Sequence, residues 1–163
     1  MGFLGPTFYQ GEEDAPAGAL FHYTSGRALR MIMQAGVLRP HKALPDDRVP
    51  LVWLSSNGIW EAASGRKLPN GQPMGFDAQA LLGGGFARVM VEASVAELDW
   101  SHLRRLVSPR WLALAEQPHN TWFRQNLHRW FATRHAVGRE HWLAIETWHA
   151  PRWREMAYAW EQS

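Results

Sequence analysis

Apolar and polar positions change rhythm several times along the chain, and each change predicts an element. Leu20-Phe21-His22-Tyr23 has the look of a short strand. After Ser25 the spacing changes: Ala28, Leu29, Ile32 and Met33 recur as one face of a helix does. Ser25 is a good N-cap for it, because its hydroxyl can accept from a backbone N–H two or three residues on, and Gly36 can take the left-handed conformation that closes it. Leu51-Val52-Trp53-Leu54 is a near-continuous apolar run, as expected of a strand buried on both faces. Residues 87–92 alternate and read as another strand. Ser94 with Glu97 three residues later forms a capping box and predicts a helical turn near Leu98. Residues 102–116 read as helix interrupted at Pro109. A second helix is predicted over 121–133, with Trp122, Phe123, Leu127, Trp130 and Phe131 on one face and Arg124, His128 and Arg129 on the exposed side. Residues 142–148 read as a strand, and 152–160 alternate well enough for a last strand, with a helix as the alternative.

Between these elements lie three polar or Gly/Pro-rich stretches. Residues 1–19 combine Gly2, Gly5, Gly11, Gly18, Pro6 and Pro16 with the acidic run Glu12-Glu13-Asp14, and predict an irregular N-terminal arm ahead of one domain over 20–163. Residues 40–48 form a polar loop free to face a ligand. Residues 64–85 are rich in Gly and Pro, and a loop of that length is either functional or mobile. At 163 residues the chain fits one domain with a substantial core. An apolar share of 46% against 20% charged residues excludes the disordered class. There is no cysteine, so disulfide and thiol chemistry are excluded, and no H-E-x-x-H or similar spacing points to a metal. The first residues lack a basic region and a long apolar run, and no stretch is apolar enough to span a bilayer; a bacterial cytoplasmic protein is expected, or an effector delivered without a signal peptide.

The net charge of +2 conceals an asymmetry. Residues 1–82 hold seven basic and seven acidic side chains, whereas 104–139 hold seven arginines against one acid, Glu116. Arginine favours bidentate contact with phosphate and carboxylate. Arg124, Arg129 and Arg134 are therefore candidates for a nucleic-acid surface; the plainer alternative is a solvated face that keeps a chain with ten tryptophans soluble. Most of those tryptophans should be core.

The chemistry concentrates at the corner His22-Tyr23-Thr24-Ser25, where a histidine and two hydroxyls meet the start of a helix, an arrangement suited to an anionic ligand. A histidine can donate one ring N–H to a ligand hydroxyl while the protein fixes its other nitrogen. Tyr23 alternates to the opposite face and reads as core. Trp53 and Ser55 share a face of the next strand by period-two spacing.

The order His-Tyr-Thr-Ser, helix, Gly36-Val37-Leu38-Arg39-Pro40, then Val49 to Ser56 as a strand resembles the start of the ADP-ribosyltransferase-like superfamily. That superfamily includes His-Tyr-type toxin ADP-ribosyltransferases, DNA-targeting ADP-ribosylating toxins and RNA 2′-phosphotransferases. The resemblance covers residues 20–60 well and the remainder loosely. It implies an α+β fold with a split antiparallel sheet, flanking helices and a Gly/Pro-rich covering loop. It also implies NAD as substrate, gripped by His22, Tyr23, Thr24, Ser25 and Ser55, with Trp53 or Trp60 stacked on nicotinamide. The implied role is transfer of ADP-ribose to a macromolecular acceptor, protein or nucleic acid, in a toxin or conflict system. The oxocarbenium-like ribose of such a transfer needs a carboxylate nearby. Glu146, Glu61 and Glu140 are the candidates, none in a Glu-x-Glu or Gln-x-Glu motif; Glu146 stands out as an acid within an apolar strand, where it needs a partner. A non-catalytic nucleotide- or nucleic-acid-binding module on the same fold, using the arginines of 104–139, is the alternative, and RNA 2′-phosphate transfer a further one.

Overall fold

The computed structural model describes residues 13–58, 84–116, 127–150 and 152–156. In chain order the elements are β1 (Ala19–Ser25), α1 (Gly26–Ala35), β2 (Val37–Leu38), β3 (Val52–Ser55) and β4 (Phe86–Glu92). Then come β5 (Leu98–Asp99), α2 (Trp100–Leu103), α3 (Pro109–Ala115), β6 (Trp130–Thr133), β7 (Val137–Gly138), β8 (Trp142–His149) and β9 (Arg152–Glu155). The architecture is α+β: seven strands form one sheet in the order β5-β6-β3-β1-β4-β8-β9, every pairing antiparallel, and β2 and β7 form a small separate ladder. No helix of the described residues is long and apolar enough to cross a membrane.

The β1–α1 corner forms as the sequence predicts. The Ser25 hydroxyl accepts from the N–H of Ala28 at 3.2 Å, which satisfies one of the orphan donors at a helix start. Gly36 closes the helix at φ +69°, a backbone conformation that a side chain resists. Alternation along β1 divides the sheet's two faces. Leu20 packs with Val52, Leu54, Ala87, Val89, Val91 and Ile145 beneath Leu29 of α1. Phe21 and Tyr23 pack on the other face with Phe86 and Trp148. A third apolar group, Leu51, Leu98, Leu103 and Ala132, fills the β5–β6 end.

Three predictions are corrected. Ser94 and Glu97 do not form a capping box. Ser94 lies in a 3₁₀ turn over Ala93–Val95, and Leu98 is strand. The Glu97 carboxylate instead accepts from the backbone N–H of Arg134 at 2.8 Å, while its own N–H bonds the carbonyl of Ala132. The helix starts later, at Trp100, with Asp99 as its cap. The helix predicted over 121–133 is not there in its second half: Leu127–Arg129 is a 3₁₀ turn and Trp130–Thr133 is β6. Both edges of β6 are taken, by β3 and by β5, and ladder bonds on two sides outweigh a helical apolar period. Residues 121–126, with Trp122 and Phe123, lie outside the described residues. Pro109, expected to interrupt a helix, opens α3, where its missing N–H costs nothing.

Candidate functional site

β1 and β3 are neighbours in the sheet, yet only one pair is in register between them, Phe21 opposite Ser55. Beyond that pair the ladder stops, and a cleft of about 730 Å³ takes in residues of both strands together with α1, the loop after β2, and α3. That volume suits a nucleotide-sized ligand. His22, Tyr23, Thr24, Trp53 and Ser55 all line it. Ser25 does not; its side chain is spent on the helix cap.

The His22 ring sits at the seam, with Nδ1 2.8 Å from the carbonyl oxygen of Trp53. A carbonyl only accepts, so Nδ1 carries the proton. Burial pushes the imidazole pKa down from its ordinary 6.5 to about 4, against the Trp53 carbonyl, which raises it; nearby His41 lowers it further. At neutral pH the ring is uncharged, and Nε2 is its one acceptor. The sequence reading has His22 donate a ring N–H to a ligand hydroxyl; here that N–H is committed to the Trp53 carbonyl, so the remaining ring nitrogen can accept a hydrogen bond but not donate one. Thr24 beside it is buried, and its hydroxyl has no partner among the described residues. Ser55 is buried too, and its Oγ accepts from the N–H of Asn57 at 3.0 Å. Tyr23 also lines the cleft, but its ring packs with Phe21 and Trp153 and its hydroxyl donates to the carbonyl of Asn57 at 2.5 Å.

One wall of the cleft is aromatic. Trp53 meets Trp130 edge-on with centroids 6.1 Å apart, and Trp130 stacks on Trp111 at 5.2 Å. The sequence pattern does not single out Trp111, from α3, and it predicts a helix at Trp130. The loop of residues 39–47 also lines the cleft, with Arg39, His41 and Lys42. It is built rather than loose. Buried Asp47 accepts from Leu44 N–H and from Ser108 N–H, both at 2.8 Å, and the Ser108 hydroxyl donates to Asp46 at 2.7 Å. Arg48 N–H bonds the carbonyl of Leu106, and His41 bridges Leu51. The loop and the start of α3 are thus one unit.

The three candidate acids fare differently. Glu146 is on β8, directly opposite Arg88 of β4, which is in turn opposite Tyr23. Its carboxylate accepts from Arg88 Nε at 2.5 Å. The Arg88 guanidinium, on a residue only 6% exposed, also donates to the carbonyl of Gly58 at 2.7 Å and lies between the Phe21 and Trp153 rings, 3.8 and 4.3 Å from their centroids. Glu146 therefore has the partner its buried strand demands, on the face away from His22, and it does not line the cleft. Glu140 is exposed, in the 3₁₀ turn before β8 beside His141, and does not line it either. Glu61 and Trp60 lie outside the described residues. Among those described, the one carboxylate in the cleft is Asp47, and both its oxygens receive backbone N–H groups. No group of three His, Asp or Glu side chains able to hold a metal occurs among the described residues.

The arginine-rich stretch is largely engaged. Arg104 pairs with Glu116 at 2.9 Å, Arg129 with Asp14 at 3.1 Å and Arg134 with Glu97 at 3.3 Å. Arg139 donates to the carbonyl of Met33. Arg124 lies outside the described residues. The face is less positive than its arginines suggest, because their partners come from elsewhere in the chain: Asp14 from before β1 and Glu97 from before β5.

Compared with known protein families, with curated proteins and with solved structures, the chain matches none.

Proposed function

We propose that this chain is an NAD-binding, ADP-ribosyltransferase-like domain that transfers ADP-ribose to a macromolecular target in a toxin or conflict role. The observation that carries the reading is the neutral His22 at the point where β1 and β3 part. Its Nδ1–H is held by the Trp53 carbonyl, and Nε2 is left to accept from a ribose hydroxyl. Thr24 supplies a free hydroxyl beside it, and the tryptophan wall supplies a flat apolar surface for a planar base.

In the transfer, the bond between the ribose anomeric carbon and the nicotinamide nitrogen breaks. Nicotinamide leaves with the bonding pair, and an acceptor nucleophile adds to the anomeric carbon and gives up its proton. A carboxylate steadies the positive sugar in between. With Glu146 bound to Arg88 and Glu140 outside the cleft, Glu61 is the acid we assign. The test is label transfer from NAD, or NAD hydrolysis. Glu61→Gln abolishes turnover while NAD still raises the melting temperature, and Glu140→Gln leaves turnover as it was. A wild-type chain that millimolar NAD does not stabilise overturns the reading.

One observation favours a second reading, a nucleotide binder without turnover: no uncommitted carboxylate lines the cleft among the described residues. In that case NAD stabilises the wild type and Glu61→Gln equally, and neither consumes NAD.

A further inference from the structure

The cleft has a second half that His22 does not explain. Arg39 and Lys42 stand on its rim, both exposed, and neither has a hydrogen bond or ion pair among the described residues. Other described arginines, Arg27, Arg30, Arg105 and Arg110 among them, also lack a partner among the described residues, but of the described arginines and lysines it is Arg39 and Lys42 that line the cleft. The one described carboxylate of the cleft, Asp47, is buried and turned to backbone N–H groups, whereas the two cations are exposed, so the rim presents positive charge to a ligand. Such a rim attracts a multiply charged anion and strengthens hydrogen bonds to it. The rim is preorganised. Asp47 folds the loop carrying Arg39 and Lys42 on itself through Leu44 N–H, and its bond from Ser108 N–H, with the Ser108 hydroxyl on Asp46, fastens that loop to the helix carrying Trp111. Cations and indole ring are thereby held around one space, so a ligand that carries phosphate and a planar ring meets both without first ordering the loop.

We infer that Arg39 and Lys42 form a phosphate-binding lip, latched to the Trp111 wall through Asp47 and Ser108, and that it takes the pyrophosphate of a nucleotide. The inference rests on the nucleotide reading above but assigns a different part of the cleft, and it can stand or fall separately.

The experiment measures binding of ADP, of NAD and of phosphate-free nicotinamide riboside to the full chain, by calorimetry, for the wild type and for Arg39→Ser with Lys42→Ser. Both side chains are exposed and unpartnered, so the double variant keeps the wild-type melting temperature. The expected result is a loss of ADP and NAD affinity of about ten- to a hundredfold, the scale of two charge-assisted contacts, with nicotinamide riboside unchanged. Equal ADP affinity in variant and wild type overturns the lip, as does an equal loss for the phosphate-free ligand. If the wild type binds ADP but not NAD, and the variant loses ADP, the lip stands and the NAD reading fails. If it binds neither, both fail. A single-stranded oligonucleotide whose binding is lost in the variant while ADP is unaffected assigns the cations to a nucleic-acid phosphate and overturns the nucleotide assignment.

Discussion

The Nδ1 of His22 lies 2.8 Å from the carbonyl oxygen of Trp53, across the seam where the β1–β3 ladder ends. One bond thus joins two strands that share a single register pair, and it sets the tautomer of the ring that faces the cleft. The ring is nonetheless costly to charge, because burial disfavours the imidazolium by more than the Trp53 carbonyl favours it.

Stability should therefore fall on the acid side. Unfolded, the imidazole takes up a proton near pH 6.5; folded, it does so only near pH 4. Between those values the unfolded chain binds more protons, so stability rises with pH. The contribution is fully present above 6.5, is lost on descending, and levels off below about 4. The whole loss is about 3 kcal/mol. Urea denaturation from pH 7 to 4 should show this slope in the wild type and a shallower one in His22→Asn. Parallel curves refute it.

Removing the Glu146 carboxylate leaves Arg88 buried between Phe21 and Trp153 with an uncompensated charge. Glu146→Gln should cost about 3 kcal/mol, and Arg88→Met a similar amount. The double variant Arg88→Met/Glu146→Leu should recover much of that, because an apolar pair of similar volume removes both desolvation terms at once. Urea midpoints at constant slope measure it; strictly additive losses show that the two side chains are not coupled.

A methyl group at Gly26 would meet the carbonyl oxygen of Gly84 at 2.0 Å, and the Gly26 N–H already bonds the carbonyl of Gly85 at 3.1 Å. Alanine is the better helix former by about 1 kcal/mol, so an isolated-helix argument expects Gly26→Ala to stabilise. The backbone contact should win, with a loss of about 2 kcal/mol or more as the lead-in to β4 is pushed away. Thermal melting decides the sign.

Arg129→Ala and Arg134→Ala should change oligonucleotide affinity by less than about twofold and leave its salt dependence unaltered. Their charges are offset by Asp14 and Glu97, so few counterions are released through them. A clear drop in the salt slope in either variant would restore this face as a nucleic-acid surface.

Local chemistry made the β1–α1 corner legible in the sequence. Ser25, the apolar face of Ala28, Leu29, Ile32 and Met33, and Gly36 specify a capped helix whatever surrounds it, and the apolar runs of β3, β4 and β8 read as strands for the same reason. The convergence of His22, Thr24, Trp53 and Ser55 on one space was expected only through a family resemblance. Its geometric basis, the single β1–β3 pair, is a matter of strand register, which no local pattern encodes.

What the tertiary structure alone decided is where long-range partners fall. Trp130 and Phe131 carry a helical period, yet they become strand because β3 and β5 both need an edge to bond. Glu146 looks like an acid in search of a role; Arg88, 58 residues away, supplies a structural one. Asp47 looks like a loop residue and is the buried tie between two walls of the cleft. Caps, turns and periodicity act within a few residues and are written in the chain. Ion pairs, shared strand edges and the tautomer of His22 depend on groups brought together only when the sheet assembles.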